Sequence, residues 1–205
     1  MLDKQIREQI IALINREVVP AVGCTEPMCV SLCVARATET LGFRPEKITV
    51  LLSSNILKNA MGVGIPGTGM IGLPIAVALG ALVGKSEYQL EVLKDLTPDV
   101  LEKGKRYIDG NHIDIRLKTG ITEKLYVEVR CEAEGHVATA VITHSHTNFV
   151  FVERDGVTVF DNRQPAGKEA ENDDILLDMR MVYDFSMTTP VDDISFILKT
   201  RDYNM

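Results

Sequence analysis

From Asn59 to Gly84 the chain runs for 26 residues without a charged side chain, and seven of those residues are glycine and two are proline. A stretch this long and uncharged has to be taken out of water, either in a bilayer or inside a protein. Its first half contains GVGIPGTG, which interrupts a helix, so only Met70 to Val83 reads as a continuous helical segment. A transmembrane span needs about 20 predominantly apolar residues, so the stretch qualifies on length, but its interruption argues against a span. A core helix entered through a glycine-rich loop is expected instead. A chain of 205 residues that is 45% hydrophobic can bury such a helix, in one large domain or two small ones.

The rest of the chain divides by period. Ile6, Ile10, Ile11, Leu13 and Ile14 recur at helical spacing from about Asp3 to Val18, and Pro20 ends that helix. A second helix, capped by Thr25 with Glu26 and Pro27 in its first turn, runs to Leu41 and stops at Gly42. Residues 47–53 read as a strand, and SNILKNAM after it as a further turn or helix. Helices are also expected over Glu87–Leu93 and over Pro98–Tyr107, the latter capped by Thr97. From residue 109 the pattern becomes alternation: HIDIRLK, KLYVEVRCEA, HVATAVITHSH, NFVFVER and VTVF, separated by turns such as Asp155-Gly156. This predicts an antiparallel meander. Beyond the link DNRQPAGKEAEND, helical segments are expected over Ile175–Phe185 and Val191–Leu198. The predicted fold class is α+β: an N-terminal helical region, residues 1–108, followed by an antiparallel β-sheet with flanking helices, residues 109–205.

Charge narrows the partners. With 22 Lys plus Arg against 29 Asp plus Glu, the formal charge is −7, which argues against nucleic acid and against an anionic membrane surface. The imbalance lies wholly in the second part, because residues 1–95 carry nine charges of each sign. The N-terminus alternates charges with aliphatics and lacks the basic start and uninterrupted apolar run of a secretory signal, so a cytoplasmic location is expected. Four cysteines, at positions 24, 29, 33 and 131, are too sparse for a disulfide scaffold and are expected as thiols.

Several residues are candidates for chemistry. Cys24 sits in PAVGCTEP, just before the second helix, where the positive end of a helix is expected to favour the thiolate, the form that binds metal or attacks carbon. Cys29 and Cys33 share a helix face among aliphatics and read as core. Gly62-x-Gly64-x-x-Gly67 has the spacing of a dinucleotide loop but does not follow a strand directly, which argues against that role. Backbone N–H groups near Thr68 and Gly69 could hold an anion such as a substrate carboxylate, or the glycines could allow close helix packing. His144 and His146 lie two apart on a predicted strand and would share a face, as two imidazoles offered to one metal would, yet nothing nearby completes a ligand set. Lys58, between Asn55 and Asn59, is the only charge between Lys47 and Lys85. Desolvation there would lower its pKa and make it a base or carboxylate partner; the alternative is a lysine that reaches the surface. A cysteine hydrolase would instead pair Cys24 with His146 and Asn148.

Taken together, PAVGCTEP, NILKNAMGVGIPGTGMIGLP and HTNFVFVERDG resemble the iron-sulfur L-cysteine desulfidases of the serine dehydratase alpha-chain superfamily, over most of residues 5–198. The resemblance implies a lyase that converts L-cysteine and water to pyruvate, ammonia and sulfide. Its cofactor would be a [4Fe–4S] cluster held by three cysteines, one of them Cys24, with the fourth iron open to substrate. Lys58 and His146 are the expected bases, and Thr25, Glu26, Asn55, Asn59, Gly67, Thr68 and Gly69 the expected substrate-binding residues. Members of that family are longer, and their remaining cluster cysteines come from a C-terminal helical domain without counterpart here. The chain would then be an N-terminal part that meets the C-terminal domain or a partner subunit, with homo-oligomers expected and no stable cluster held alone. Its helix near Leu73–Val83 would lie exposed without that domain, which predicts dimerisation or aggregation. An L-serine dehydratase, or an amino-acid-binding module that uses the sheet and its HTN edge without chemistry, are the alternatives.

Overall fold

The computed structural model describes residues 2–110, 112–163 and 175–202. Contacts divide the chain into one unit, Ala21–Arg163, and a second made from the first twenty residues with those after 163.

The larger unit is built around helix α2, Thr25–Leu41. Pro27 to Ala35 are all buried, so this helix is enclosed on every side, the condition of a central core helix. It ends where Gly42 takes a left-handed conformation (φ 80°) and its N–H returns to the Thr38 carbonyl. On one side α2 meets α4, Leu73–Leu82; on the other it lies across the sheet strands β5, β6 and β7. The approach of α2 to α4 depends on small residues. A Cβ on Gly80 would come within 2.7 Å of the Ser31 carbonyl oxygen, and one on Gly84 within 2.9 Å of the Ala35 Cβ. Across the same contact the Ser31 hydroxyl donates to the Ala76 carbonyl at 2.8 Å, satisfying a fully buried oxygen.

Six strands form the sheet: β1 (Lys47–Leu52), β4 (Ile113–Leu117), β5 (Tyr126–Ala133), β6 (His136–Thr143), β7 (Phe149–Arg154) and β8 (Val157–Asp161). Their order is β4-β1-β5-β6-β7-β8. The α+β class is as expected, and the run from β5 to β8 is the expected meander. The sheet is mixed, however, because β1 enters between β4 and β5 and pairs parallel with β4. Parallel pairing needs a long crossover, and here α3 (Ser54–Ala60), a small hairpin, α4 and α5 (Pro98–Asp109) all lie between the two strands. Residues 21–108 and 112–163 therefore share one core.

Three expectations change at the glycine-rich stretch. Met70 and Ile71 are not helical; as β3 they pair with Gly64 and Ile65, β2, closing a hairpin over Pro66–Gly69. The helix starts only at Leu73, because Gly72 (φ 86°) turns the chain and Pro74 follows in the first turn. And α4 is not an exposed face. Leu73, Ile75, Val77 and Leu79 are at most 2% exposed, covered by α2 and α5, so it offers no surface for dimerisation. Among the described residues no helix is long and apolar enough to cross a membrane.

In the second unit, α1 (Lys4–Glu17) is capped by the Asp3 carboxylate, which accepts from the Gln5 N–H at 2.8 Å. Helix α6 runs from Met179 to Thr188, later than the expected Ile175 start, because Asp178 takes the cap and accepts from the Met181 N–H. A 3-10 segment, Val191–Leu198, and a short α7, Lys199–Asp202, follow. Most of the link 161–173 lies outside the described residues.

Candidate functional site

The PAVGCTEP corner is shaped by Gly23, whose φ of 84° only glycine adopts without strain. Its missing side chain also makes room for a neighbour, since a Cβ there would stand 2.6 Å from Cγ of Pro66 in the β2–β3 hairpin. Two segments more than forty residues apart are thereby pressed together. The Val22 N–H adds a bond to the Leu90 carbonyl at 3.1 Å. Sequence reading passed over Pro66, although a proline inside a glycine-rich loop, following a second glycine-proline corner, marks two rigid turns able to abut.

Cys24, rather than Thr25, occupies the cap position of α2, and its side chain makes no capping bond. Its thiol instead donates to Oε2 of Glu26 at 3.0 Å. The same oxygen accepts from the Thr25 hydroxyl at 3.2 Å, and Oε1 accepts from Nδ2 of Asn59 on α3 at 3.2 Å. Glu26 is thus the hub that joins the corner to the NILKNAM helix. Burial, then the bond to the Glu26 carboxylate, push the Cys24 thiol above its ordinary value. The amides at the start of α2 pull the other way and are outweighed, so this setting favours the thiol over the thiolate. Glu26 is held below the ordinary carboxylate value, mainly by the thiol it accepts from.

The other three cysteines are core residues. Cys29, Cys33 and Cys131 are fully buried, and loss of solvent pushes each thiol upward, that of Cys131 to about 12. Cys33 donates to the Ala140 carbonyl at 3.3 Å and so ties α2 to β6. Of the four, only Cys24 is partly exposed.

The remaining candidates are placed unevenly. Lys58 and Asn59 are exposed on α3, so Lys58 does not lie in the desolvated setting expected for it. Asn55 faces a hollow of about 230 Å³ with Ser53, Lys118 and Lys124, whose lining includes neither Cys24 nor Glu26. Thr68 is a turn former: its N–H and hydroxyl both donate to the Ile65 carbonyl, and its hydroxyl accepts from the Met70 N–H. That leaves Gly67 and Gly69, both at positive φ, to shape the loop beside it. His144 and His146 are not on a strand. β6 ends at Thr143, and His144 enters the β6–β7 turn with φ 67°, so the alternation that would have aligned the imidazoles is lost. The bonded group at Cys24 does not include His146. Among the described residues no three His, Cys, Asp or Glu side chains converge as a metal site. Ser53 escaped notice in the sequence: it is 2% exposed, and its hydroxyl donates to the Lys124 carbonyl at 2.8 Å and accepts from the Tyr126 N–H at 3.3 Å, locking the end of β1 where α3 begins.

No family model matches the chain, and no solved structure matches it. The chain is 63% identical over 198 residues to a UPF0597 protein of Bacteroides fragilis, covering 97% of this chain and 46% of that protein. A UPF0597 protein of Bacteroides thetaiotaomicron is 60% identical over 198 residues, with the same coverage. One from Oleidesulfovibrio alaskensis is 43% identical over 195 residues, which is 95% of this chain and 45% of the relative. These descriptions name no activity, and the chain spans about half the length of the curated relatives it matches.

Proposed function

We propose that this chain is the amino-terminal half of a cytoplasmic iron-sulfur lyase that converts L-cysteine and water to pyruvate, ammonia and sulfide. The observation that carries the reading is the group at Cys24: the one partly exposed thiol stands where the PAVGCTEP corner, the NILKNAM helix and the GIPGTG hairpin meet. A cluster site cannot be completed from the described residues, since Cys29, Cys33 and Cys131 are locked in the core. Cys24 fits as a single ligand to a [4Fe–4S] cluster whose other ligands lie in the remaining half of the longer protein. When bound, the cluster supplies a Lewis-acidic iron for the departing sulfur.

The chain's own residues have separate tasks in this reading. Glu26 accepts the Cys24 proton when the sulfur becomes a ligand, and Thr25 and Asn59 hold the Glu26 carboxylate in position for that transfer. Lys58, one residue before Asn59 on the exposed face of α3, offers its ammonium to the substrate carboxylate, a role that needs no desolvation. The Gly67–Gly69 loop, fixed by Thr68, walls the substrate space. Elimination of the β-thiol and the α-proton leaves aminoacrylate, which water converts to pyruvate and ammonia.

The test is sulfide and pyruvate release from L-cysteine by the anaerobically prepared full-length protein. The two products should appear in equal amounts, and Cys24→Ala should abolish both. Lys58→Ala should raise KM by about tenfold with a smaller change in kcat, as expected on loss of a charged partner for the substrate carboxylate. Turnover unaffected by Cys24→Ala would overturn the assignment.

A further inference from the structure

A second cavity, of about 330 Å³, opens on the larger unit, and neither Cys24 nor Glu26 lines it. Arg36 lines it from α2, twelve positions beyond Cys24 and so about 18 Å further along the helix. Phe149 and Val152 of β7 and Phe160 of β8 form an apolar wall, and Glu87 and Gln89 enter from the 3-10 turn Ser86–Glu91. Its volume lies at the lower end of the range that small ligands occupy.

The charges in this cavity are arranged in an unusual way. Arg36 is half-buried, yet its guanidinium makes no ion pair or hydrogen bond with any described residue. Its natural helical partner is Glu39, three positions on, but both carboxylate oxygens of Glu39 are engaged by Ser86, one by the backbone N–H at 2.7 Å and the other by the hydroxyl. Glu87 lines the cavity without closing on Arg36. The half-buried Arg36 and the exposed Glu87 therefore line one space together with Phe149 and Phe160. The backbone around it departs from regular geometry at the same place. Gln89 is held at φ 52° and ψ −128°, and the β6–β7 and β7–β8 ladders both shift register beside the residues that supply the wall. Bulges of this kind re-aim side chains, and a strained residue persists only where its surroundings hold it.

We propose that this cavity binds a free α-amino acid with an apolar side chain, as a site separate from Cys24. Arg36 takes the carboxylate through two parallel N–H donors, Glu87 takes the ammonium, and Phe149, Val152 and Phe160 cover the side chain. Neither charge of such a ligand is left unpaired, and the ligand supplies the partners that Arg36 and Glu87 lack. The site needs no iron and no chemistry at Cys24.

The experiment is calorimetric titration of the purified full-length protein with L-phenylalanine and L-leucine. Two analogues of phenylalanine accompany them: 3-phenylpropionate, which lacks the ammonium, and phenylalaninamide, which lacks the carboxylate. Saturable binding of the amino acids is expected, with each analogue weaker by about tenfold or more. Arg36→Gln should weaken L-phenylalanine by at least as much while leaving its affinity for phenylalaninamide unchanged, and Phe160→Ala, at an exposed edge strand, should weaken all of them together. Thermal melting of both variants at the parent temperature shows that the fold is kept. Absence of saturable binding below about 1 mM in the parent, or an Arg36→Gln variant that binds L-phenylalanine as tightly as the parent does, would overturn the proposal.

Discussion

At the scale of single residues, the Cys24 thiol donates to the Glu26 carboxylate and each group displaces the other's titration. The thiol is raised by burial and by its bond to the carboxylate, and the carboxylate is lowered by accepting that bond. Glu26→Gln removes the negative charge while burial stays, so the Cys24 thiol should fall toward its ordinary value. Alkylation near neutral pH should then speed up by up to about tenfold per pKa unit recovered. The acid side follows the opposite group. A carboxyl whose folded pKa is depressed contributes stability above its unfolded value, here near 4.5, and loses it as pH falls through the lower folded value. The parent should therefore lose stability between those two values more steeply than Glu26→Gln, as read from urea midpoints at successive pH. Under native conditions Cys24 alone should take up an alkylating reagent, because Cys29, Cys33 and Cys131 have no exposed surface. Prompt labelling of Cys33 would contradict the placement of α2.

At the scale of elements, the contact between α2 and α4 leaves no room for a Cβ at Gly80 and sets its own predictions. Gly80→Ala places a methyl against the Ser31 backbone and should cost roughly 1–3 kcal/mol in denaturant unfolding, since neither helix can give way. Ser31→Ala leaves the buried Ala76 carbonyl without the hydroxyl that donates to it and should cost about 1 kcal/mol. The elements themselves were largely legible from local pattern. Pro20, Gly42 and the 109–160 alternation marked the ends of α1 and α2 and the strands β5 to β8 within a few residues. What local pattern could not carry was pairing at long range. β1 looked like an isolated strand in a helical region, and only the fold shows it inserted beside β4. The Met70–Ile71 pair reads as helix by apolar content, yet Gly72 and the partner Gly64–Ile65 decide for a hairpin. The site divided in the same way. Cys24 stood out because a cysteine on a glycine corner is unusual, whereas its bond to Glu26, its contact with Pro66 through Gly23 and the unpaired state of Arg36 depend on tertiary geometry.

At the scale of the whole molecule, the proposed cluster ligand lies at a rim of the larger unit. The corner 23–26, the α3 surface with Lys58 and Asn59, and the β2–β3 hairpin all lie on the larger unit, with Cys24 open to approach and the other thiols sealed inside. Such a rim suits a cluster completed by another part of a longer protein, which the length of the relatives accommodates. Gly23→Ala, which forces strained backbone and a clash with Pro66, should displace Cys24 and lower iron occupancy in that longer protein without removing a ligand. The most direct measurement is iron and acid-labile sulfide per chain in the anaerobically prepared full-length protein, with Cys24→Ala beside it. The account predicts a four-iron cluster in the parent and its loss in the variant. A parent without iron after reconstitution, or a variant that keeps the full cluster, would contradict it.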